Sequence, residues 1–249
     1  MQSETIELRT ADGVADAYLA HPDDGEHPAV LFIMDAFGLR PRIEEMADRI
    51  AERGYVVLAP NVFYRAGRAP ALDLPDPGDP GARSSFMQKV RPLSEQLTPP
   101  RLASDGGAYL DYLAELAPGP VAITGYCMGA RLGWGIAAAH PDRVAALAGF
   151  HGGGLVTDAP DSPHRSAGQL NAEVYFGHAD EDPGMAPEQI AALDRALDEA
   201  AVRHLTEVYE GARHGYTMAD HRAWNEAACE RHFDALFALL ERSLEARPA

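Results

Sequence analysis

The chain has 249 residues, with 38 acidic against 21 basic side chains, a formal net charge of -17, and 46% hydrophobic and 24% charged residues. That composition matches folded, soluble globular proteins and excludes disordered, fibrous and membrane classes. The acidity would repel a polyanion over most of the surface, so nucleic acid is not an expected partner.

Cys127 and Cys229 are the two cysteines, too few for a disulfide scaffold in a chain this long. The N-terminus has no basic stretch followed by an apolar one, so no secretory leader is read there. No apolar run reaches the roughly 18 to 20 residues of a membrane span. The expected address is the cytoplasm, with no membrane association.

Short apolar, β-branched runs alternate with longer helical patterns along the chain. Strands are predicted over 5–8 and 15–20, joined across Ala11-Asp12-Gly13, where Gly13 is free to take a positive φ; these two should form an antiparallel hairpin. A strand over 29–33, a helix over 42–53 and a strand over 56–59 follow. After a long gap come a helix over 102–116, a strand over 121–124, a helix over 128–140 and strands over 145–150 and 173–176. A helix over 187–201, a strand over 205–209 and a helix over 221–246 close the chain. Apolar strands such as AVLFI and VAITG alternating with helices indicate a mostly parallel sheet covered on both faces. The length fits a single α/β domain over 1–249.

Between 65 and 101 the pattern breaks. Pro70, Pro75, Pro77, Pro80, Pro92, Pro99 and Pro100 fall there with several glycines. A loop of that length inside a compact domain is usually a lid or binding loop, or else disordered, and a lid is preferred here.

The sharpest chemical signal is Gly125-Tyr126-Cys127-Met128-Gly129, directly after an apolar strand and directly before a helix. This is the nucleophile-elbow pattern with Cys in place of Ser. The tight turn holds the nucleophile in a strained conformation, the flanking glycines let neighbouring backbone pass close, and the helix N-terminus favours a thiolate. The N–H of Met128 is a ready oxyanion donor. An elbow requires an acid and then a histidine, each beyond a later strand. Asp180 and Asp182 follow the seventh strand, and His214 follows the eighth. Asp182 is preferred as the acid, with Asp180 left as the alternative. Phe150-His151-Gly152-Gly153-Gly154 is read as a glycine-rich turn, because the lipase motif it imitates precedes the nucleophile. His178, Asp180, Asp182 and His214 could converge, but no metal-binding motif accompanies them, so neither metal nor cofactor is expected.

The chain resembles the dienelactone hydrolase family of α/β-hydrolases. The likeness runs from the Asp12-Gly13-Val14 turn through AVLFIMDAFGL, NVFYR, GYCMG, HADEDPGM and ARHGYTM to the closing helix. It implies an α/β-hydrolase fold with Cys127 as nucleophile, Asp182 as triad acid and His214 as base. It also implies that Asp35, where the family has a glutamate, assists the thiol, and that the N–H of Ala36 completes the oxyanion hole. The family's arginine four residues past the histidine is replaced by Met218, placed at the mouth of the pocket, which turns expectation towards neutral substrates. The expected function is cofactor-independent cleavage of a small ester or lactone through an acyl-enzyme, in the manner of a carboxymethylenebutenolidase. A thioesterase or peptidase on the same triad, and a ligand-binding protein that keeps the fold, are the alternatives. The sequence says nothing about oligomeric state.

Overall fold

The computed structural model describes residues 1–75 and 81–245; Pro77 and Pro80 of the proline-rich segment, and Ala246 of the expected last helix, lie outside them. The chain divides into two compact units, Met1–Pro118 and Gly119–Ala249.

In the first unit the hairpin forms as expected. Strand β1 (Gln2–Thr10) pairs antiparallel with β2 (Gly13–His21) in one unbroken register from Gln2↔His21 to Thr10↔Gly13. Both strands run longer than their apolar cores, because ladder bonds continue through the polar ends. β2 also pairs antiparallel with β4 (Val56–Pro60), which pairs parallel with β3 (Ala29–Ile33). Every residue of β3 and β4 is buried, as continuous apolar runs require. Helix α1 (Pro41–Ala51) buries Ile43, Met46, Ala47 and Ile50 at helical spacing, and Pro41 suits its first position.

The proline-rich segment departs from expectation. It opens with a 3-10 turn (Tyr64–Ala66) and then folds a helix, α2 (Ala82–Ser94), before α3 (Pro99–Leu116). Phe86 and Val90, four residues apart, supply the buried stripe of α2, and Phe86 stacks on Phe37 with ring centroids 4.8 Å apart. Two apolar residues among so many prolines were too weak a pattern to read. Arg65 ties the opening turn to α3 through both carboxylate oxygens of Asp105, at 2.7 and 2.9 Å.

The second unit is a parallel array in the order β5 (Val121–Tyr126), β6 (Val144–Phe150), β7 (Glu173–Ala179) and β8 (His204–Tyr209). Its helices are α4 (Met128–Ala139), α5 (Pro187–Glu199) and α6 (Glu226–Leu240), the last running into a π turn (Glu241–Glu245). Phe176 of β7 stacks on Trp134 of α4, whereas Phe150 and the adjacent Tyr175 pack together and Phe150 meets His232 of α6. Side chains alternate across a strand, so α4 and α6 cover opposite faces. The last helix starts at Glu226, not at residue 221: extended Asn225 caps it by accepting the N–H of Ala228 at 3.1 Å, and residues 221–225 form the turn that delivers the cap. Because all four strands point the same way, the segments after β5, β6, β7 and β8 emerge at one end of the array, where such sheets place their chemistry.

Candidate active site

Cys127 sits between β5 and α4 with φ 55° and ψ -115°, a conformation that is strained for any residue with a Cβ. The turn is held by its N–H, which donates to the Phe150 carbonyl at 3.0 Å. Gly125 is obligatory: a Cβ there would lie 2.2 Å from the Gly129 carbonyl oxygen. Met128 opens α4, where helix geometry leaves its N–H without an intrahelical acceptor.

The segment after β8 brings a histidine to Cys127. His214 Nε2 lies 3.0 Å from Cys127 Sγ, and His214 Nδ1 lies 2.6 Å from Asp182 Oδ2. The other oxygen of Asp182 accepts the N–H of Gly184 at 2.8 Å, which fixes the carboxylate's rotation. Asp180 takes a different place: its carboxylate accepts the N–H of Gly211 at 2.9 Å, bracing the approach to the histidine turn. Glu181 between them adopts φ 51°, and this left-handed step turns the two aspartates apart.

Burial opposes a charge on His214, but the hydrogen bonds and charges of Asp182 and Cys127 outweigh it and push its pKa up to about 10. Burial likewise works against ionised Asp182, yet the His214 contact and the Gly184 N–H hold its carboxyl below the usual range. Both directions describe one arrangement, an imidazolium paired with the Asp182 carboxylate and set against the Cys127 sulfur. His178 stands apart, stacked on Phe176, with burial pushing its pKa down to about 4. Among the described residues no three His, Cys, Asp or Glu side chains are grouped to hold a metal ion, and no helix is long and apolar enough to cross a membrane.

Asp35 and Ala36 belong to the first unit. Asp35 is 4% exposed and pairs with both terminal nitrogens of Arg40, at 2.7 and 3.1 Å, while Oδ1 also accepts the Phe37 N–H at 2.9 Å. Its carboxylate therefore organises the segment that follows β3. Met218 is 1% exposed, packed in the interior and not set at a pocket mouth, because the turn closed by its N–H on the Gly215 carbonyl at 3.0 Å carries it inward.

Two residues near Cys127 and His214 escaped the sequence reading. Arg131 stands four residues after Cys127, one turn into α4; burial holds its guanidinium below the usual pKa while the charges of Cys127 and Asp161 pull the other way. The four-residue spacing from the nucleophile was the signal that could have found it. His151, immediately after β6, is fully buried with its ring 5.3 Å from that of His214. It had been grouped with the glycines that follow it.

The dienelactone hydrolase family model matches residues 15–244. An Escherichia coli K12 protein provisionally named a carboxymethylenebutenolidase is 32% identical over 228 residues, covering 85% of this chain and 76% of its own. The carboxymethylenebutenolidase of Rhodococcus opacus is 25% identical over 217 residues, covering 82% of this chain and 81% of its own. A crystal structure from Klebsiella pneumoniae, provisionally named a dienelactone hydrolase, superposes with a TM-score of 0.82 at 20% identity, covering 97% of this chain and 98% of that one.

Proposed function

This chain belongs to the dienelactone hydrolase family, and from that premise we propose that it cleaves small esters or lactones by covalent catalysis through Cys127, His214 and Asp182, without a cofactor. The observation that carries the reading is the continuous relay from Asp182 Oδ2 to His214 Nδ1 at 2.6 Å and from His214 Nε2 to Cys127 Sγ at 3.0 Å.

On this reading the thiolate of Cys127 attacks the substrate carbonyl and the negative charge passes to its oxygen. The N–H of Met128 stabilises that oxygen, with the N–H of Ala36 assigned as second donor by its place after Asp35 in the family pattern. Collapse breaks the carbon–oxygen bond, the imidazolium proton of His214 goes to the departing alkoxide, and a thioester remains on Cys127. Water then attacks the thioester as His214 takes its proton, releasing the acid and restoring the thiolate–imidazolium pair. Asp182 holds the imidazole in the tautomer both steps need. The family pattern gives Asp35 a part in activating the thiol, although the contacts in its own unit support a role in ordering the Phe37–Arg40 turn. The family match runs through both units, which supports one hydrolase domain acting on a small-molecule substrate.

The test is rapid quenching during turnover of p-nitrophenyl acetate, followed by peptide mass analysis. An acetyl group on the Cys127 peptide and a burst of p-nitrophenol are expected. Turnover with no acylation at Cys127 would sink the covalent mechanism.

A further inference from the structure

The segment Phe150–Gly154, which the hydrolytic steps above do not use, touches the carriers of all three triad residues. The Phe150 carbonyl accepts the N–H of Cys127 at 3.0 Å; the His151 N–H donates to Gly177 of β7 at 2.8 Å; the Gly154 N–H donates to Gly184, in the acid's turn, at 3.1 Å. His151 Nε2 is bonded to Thr217 Oγ1, three residues past the base, at 2.7 Å.

Fitting the segment there demands a glycine at 152 and a strained backbone. A Cβ on Gly152 would lie 2.8 Å from the Ala130 methyl, whereas one on Gly153 would make ordinary contact with Gly184 Cα at 3.8 Å and His214 Cε1 at 4.0 Å. His151 adopts φ 39°, a left-handed conformation disfavoured for a side chain of its size. Strain of this kind persists only where the surroundings over-determine it. Its ring is fully buried and meets His214 edge to face, with centroids 5.3 Å apart and an interplanar angle of 64°; Tyr216 packs on it at 5.0 Å and Tyr126 at 6.1 Å.

We propose that His151 is a positioning residue for the base: its ring contact with His214 and its hydrogen bond to Thr217 fix the imidazole between Asp182 and Cys127. The inference rests on His214 being the base of the proposed hydrolysis. It also requires that His151 stay neutral beside an imidazolium. Burial ensures this by holding its pKa well below the ordinary histidine value, and the neighbouring His214, His232 and His221 oppose its protonation further. The groups that act on His214 in turn are Asp182, Cys127 and His151.

The experiment compares wild type with His151→Phe, His151→Gln and Thr217→Val, all as full-length protein, in p-nitrophenyl acetate turnover and in the pH dependence of Cys127 alkylation by iodoacetamide. Cys229 is 3% exposed, so alkylation reports on Cys127. His151→Phe keeps an aromatic ring but loses the bond to Thr217. It is expected to lower kcat about tenfold with KM within about twofold. Its pH profile of alkylation should move away from that of wild type, because a displaced imidazole no longer meets the Cys127 sulfur. Thr217→Val should move both readouts in the same direction, and His151→Gln, which can still reach Thr217, should restore part of the loss. Wild-type kcat and an unmoved alkylation profile in both His151→Phe and Thr217→Val would reduce His151 to a core filler. Should His151→Phe not fold, Thr217→Val alone decides. The alkylation profile does not depend on ester turnover, so failure of the hydrolase reading, seen as no acetylation of wild-type Cys127, stays distinguishable from failure of this one.

Discussion

His214 Nε2 and Cys127 Sγ lie 3.0 Å apart although 87 residues of chain separate them. The parallel order β5-β6-β7-β8 accounts for the encounter. Each crossover returns the chain to the same end of the array, so the turns after β5, β7 and β8 emerge at that end carrying Cys127, Asp182 and His214. Closing so long a loop is entropically unfavourable; the buried strands offset that cost, and the triad contact does not have to.

Cys127→Ala is expected to abolish ester hydrolysis while leaving the thermal unfolding midpoint close to wild type. Cys127→Ser should keep a trace of activity, since a hydroxyl beside this imidazole ionises far less readily than a thiol. Cys229→Ala should remain near wild type, because Cys229 lies on α6 with its thiol on the Thr217 carbonyl, at 3.8 Å. Steady-state kinetics on the three purified variants checks the set, and full activity in Cys127→Ala would remove the nucleophile.

The two aspartates should separate by orders of magnitude. Asp182→Asn removes the orienting carboxylate and is expected to reduce kcat by about 10²- to 10⁴-fold. Asp180→Asn disturbs only the bond to the Gly211 N–H and should cost less than tenfold. The reverse order in kcat would exchange their roles.

The raised pKa of His214, about 10 against an unfolded value of 6.5, makes a signed prediction. The folded protein holds this proton more tightly than the unfolded chain, so the stability it contributes is fully present below about pH 6.5. It is lost as pH rises through about 10. Asp182→Asn removes the hydrogen bond and charge through which Asp182 raises it. The stability difference between wild type and Asp182→Asn, measured by urea unfolding at several pH values, should therefore be flat below pH 6.5 and shrink towards pH 10. A difference that stays constant across that range would mean that His214 is not charged in the native state.

Asp35→Asn is expected to act first on stability. It leaves the buried Arg40 guanidinium without its carboxylate, and breaking one side of a buried pair costs about 3–5 kcal/mol. The unfolding midpoint should fall clearly. A variant with wild-type stability and a large loss of kcat would instead give Asp35 a direct part in catalysis.

Neutral short-chain esters or lactones should be hydrolysed with at most a modest preference for carboxylate-bearing analogues. Arg40 holds Asp35, Arg65 holds Asp105 and Asp12, Arg91 holds Glu95, and Arg101 faces Asp12 at 3.4 Å, so each already has a carboxylate within the fold. The check is kcat/KM for a neutral ester against its anionic analogue. An advantage of about a hundredfold for the anion, about 2.7 kcal/mol, would point to Arg131, and Arg131→Gln would then remove it.

By itself the sequence determined most of the architecture and singled out Cys127 and His214, which the structure brings together. The strand 29–33 was legible residue for residue, because a fully buried strand must be a continuous apolar run with nothing polar to blur it, and the other seven strands were legible over part of their lengths. Cys127 stood out because only glycine two residues before it lets the Gly129 carbonyl pass, a constraint written locally in the chain. His214 followed from chain order together with its place in the loop beyond the last strand, since His221 and His232 fall in the closing helical pattern. Tertiary structure decided what depends on where a side chain points after the backbone has turned. Asp180 and Asp182 are the same residue type two positions apart, and the left-handed Glu181 between them sends one to Gly211 and the other to His214. Helix α2 needed Phe37, about fifty positions away, to give Phe86 a surface to bury against. Met218 went inward with a turn whose closure on Gly215 no spacing rule encodes, and His151 became the neighbour of the base because the β6 turn folds under it. Local patterns carry steric and burial constraints within a few residues; contacts between turns arise only once the strands have set those turns side by side.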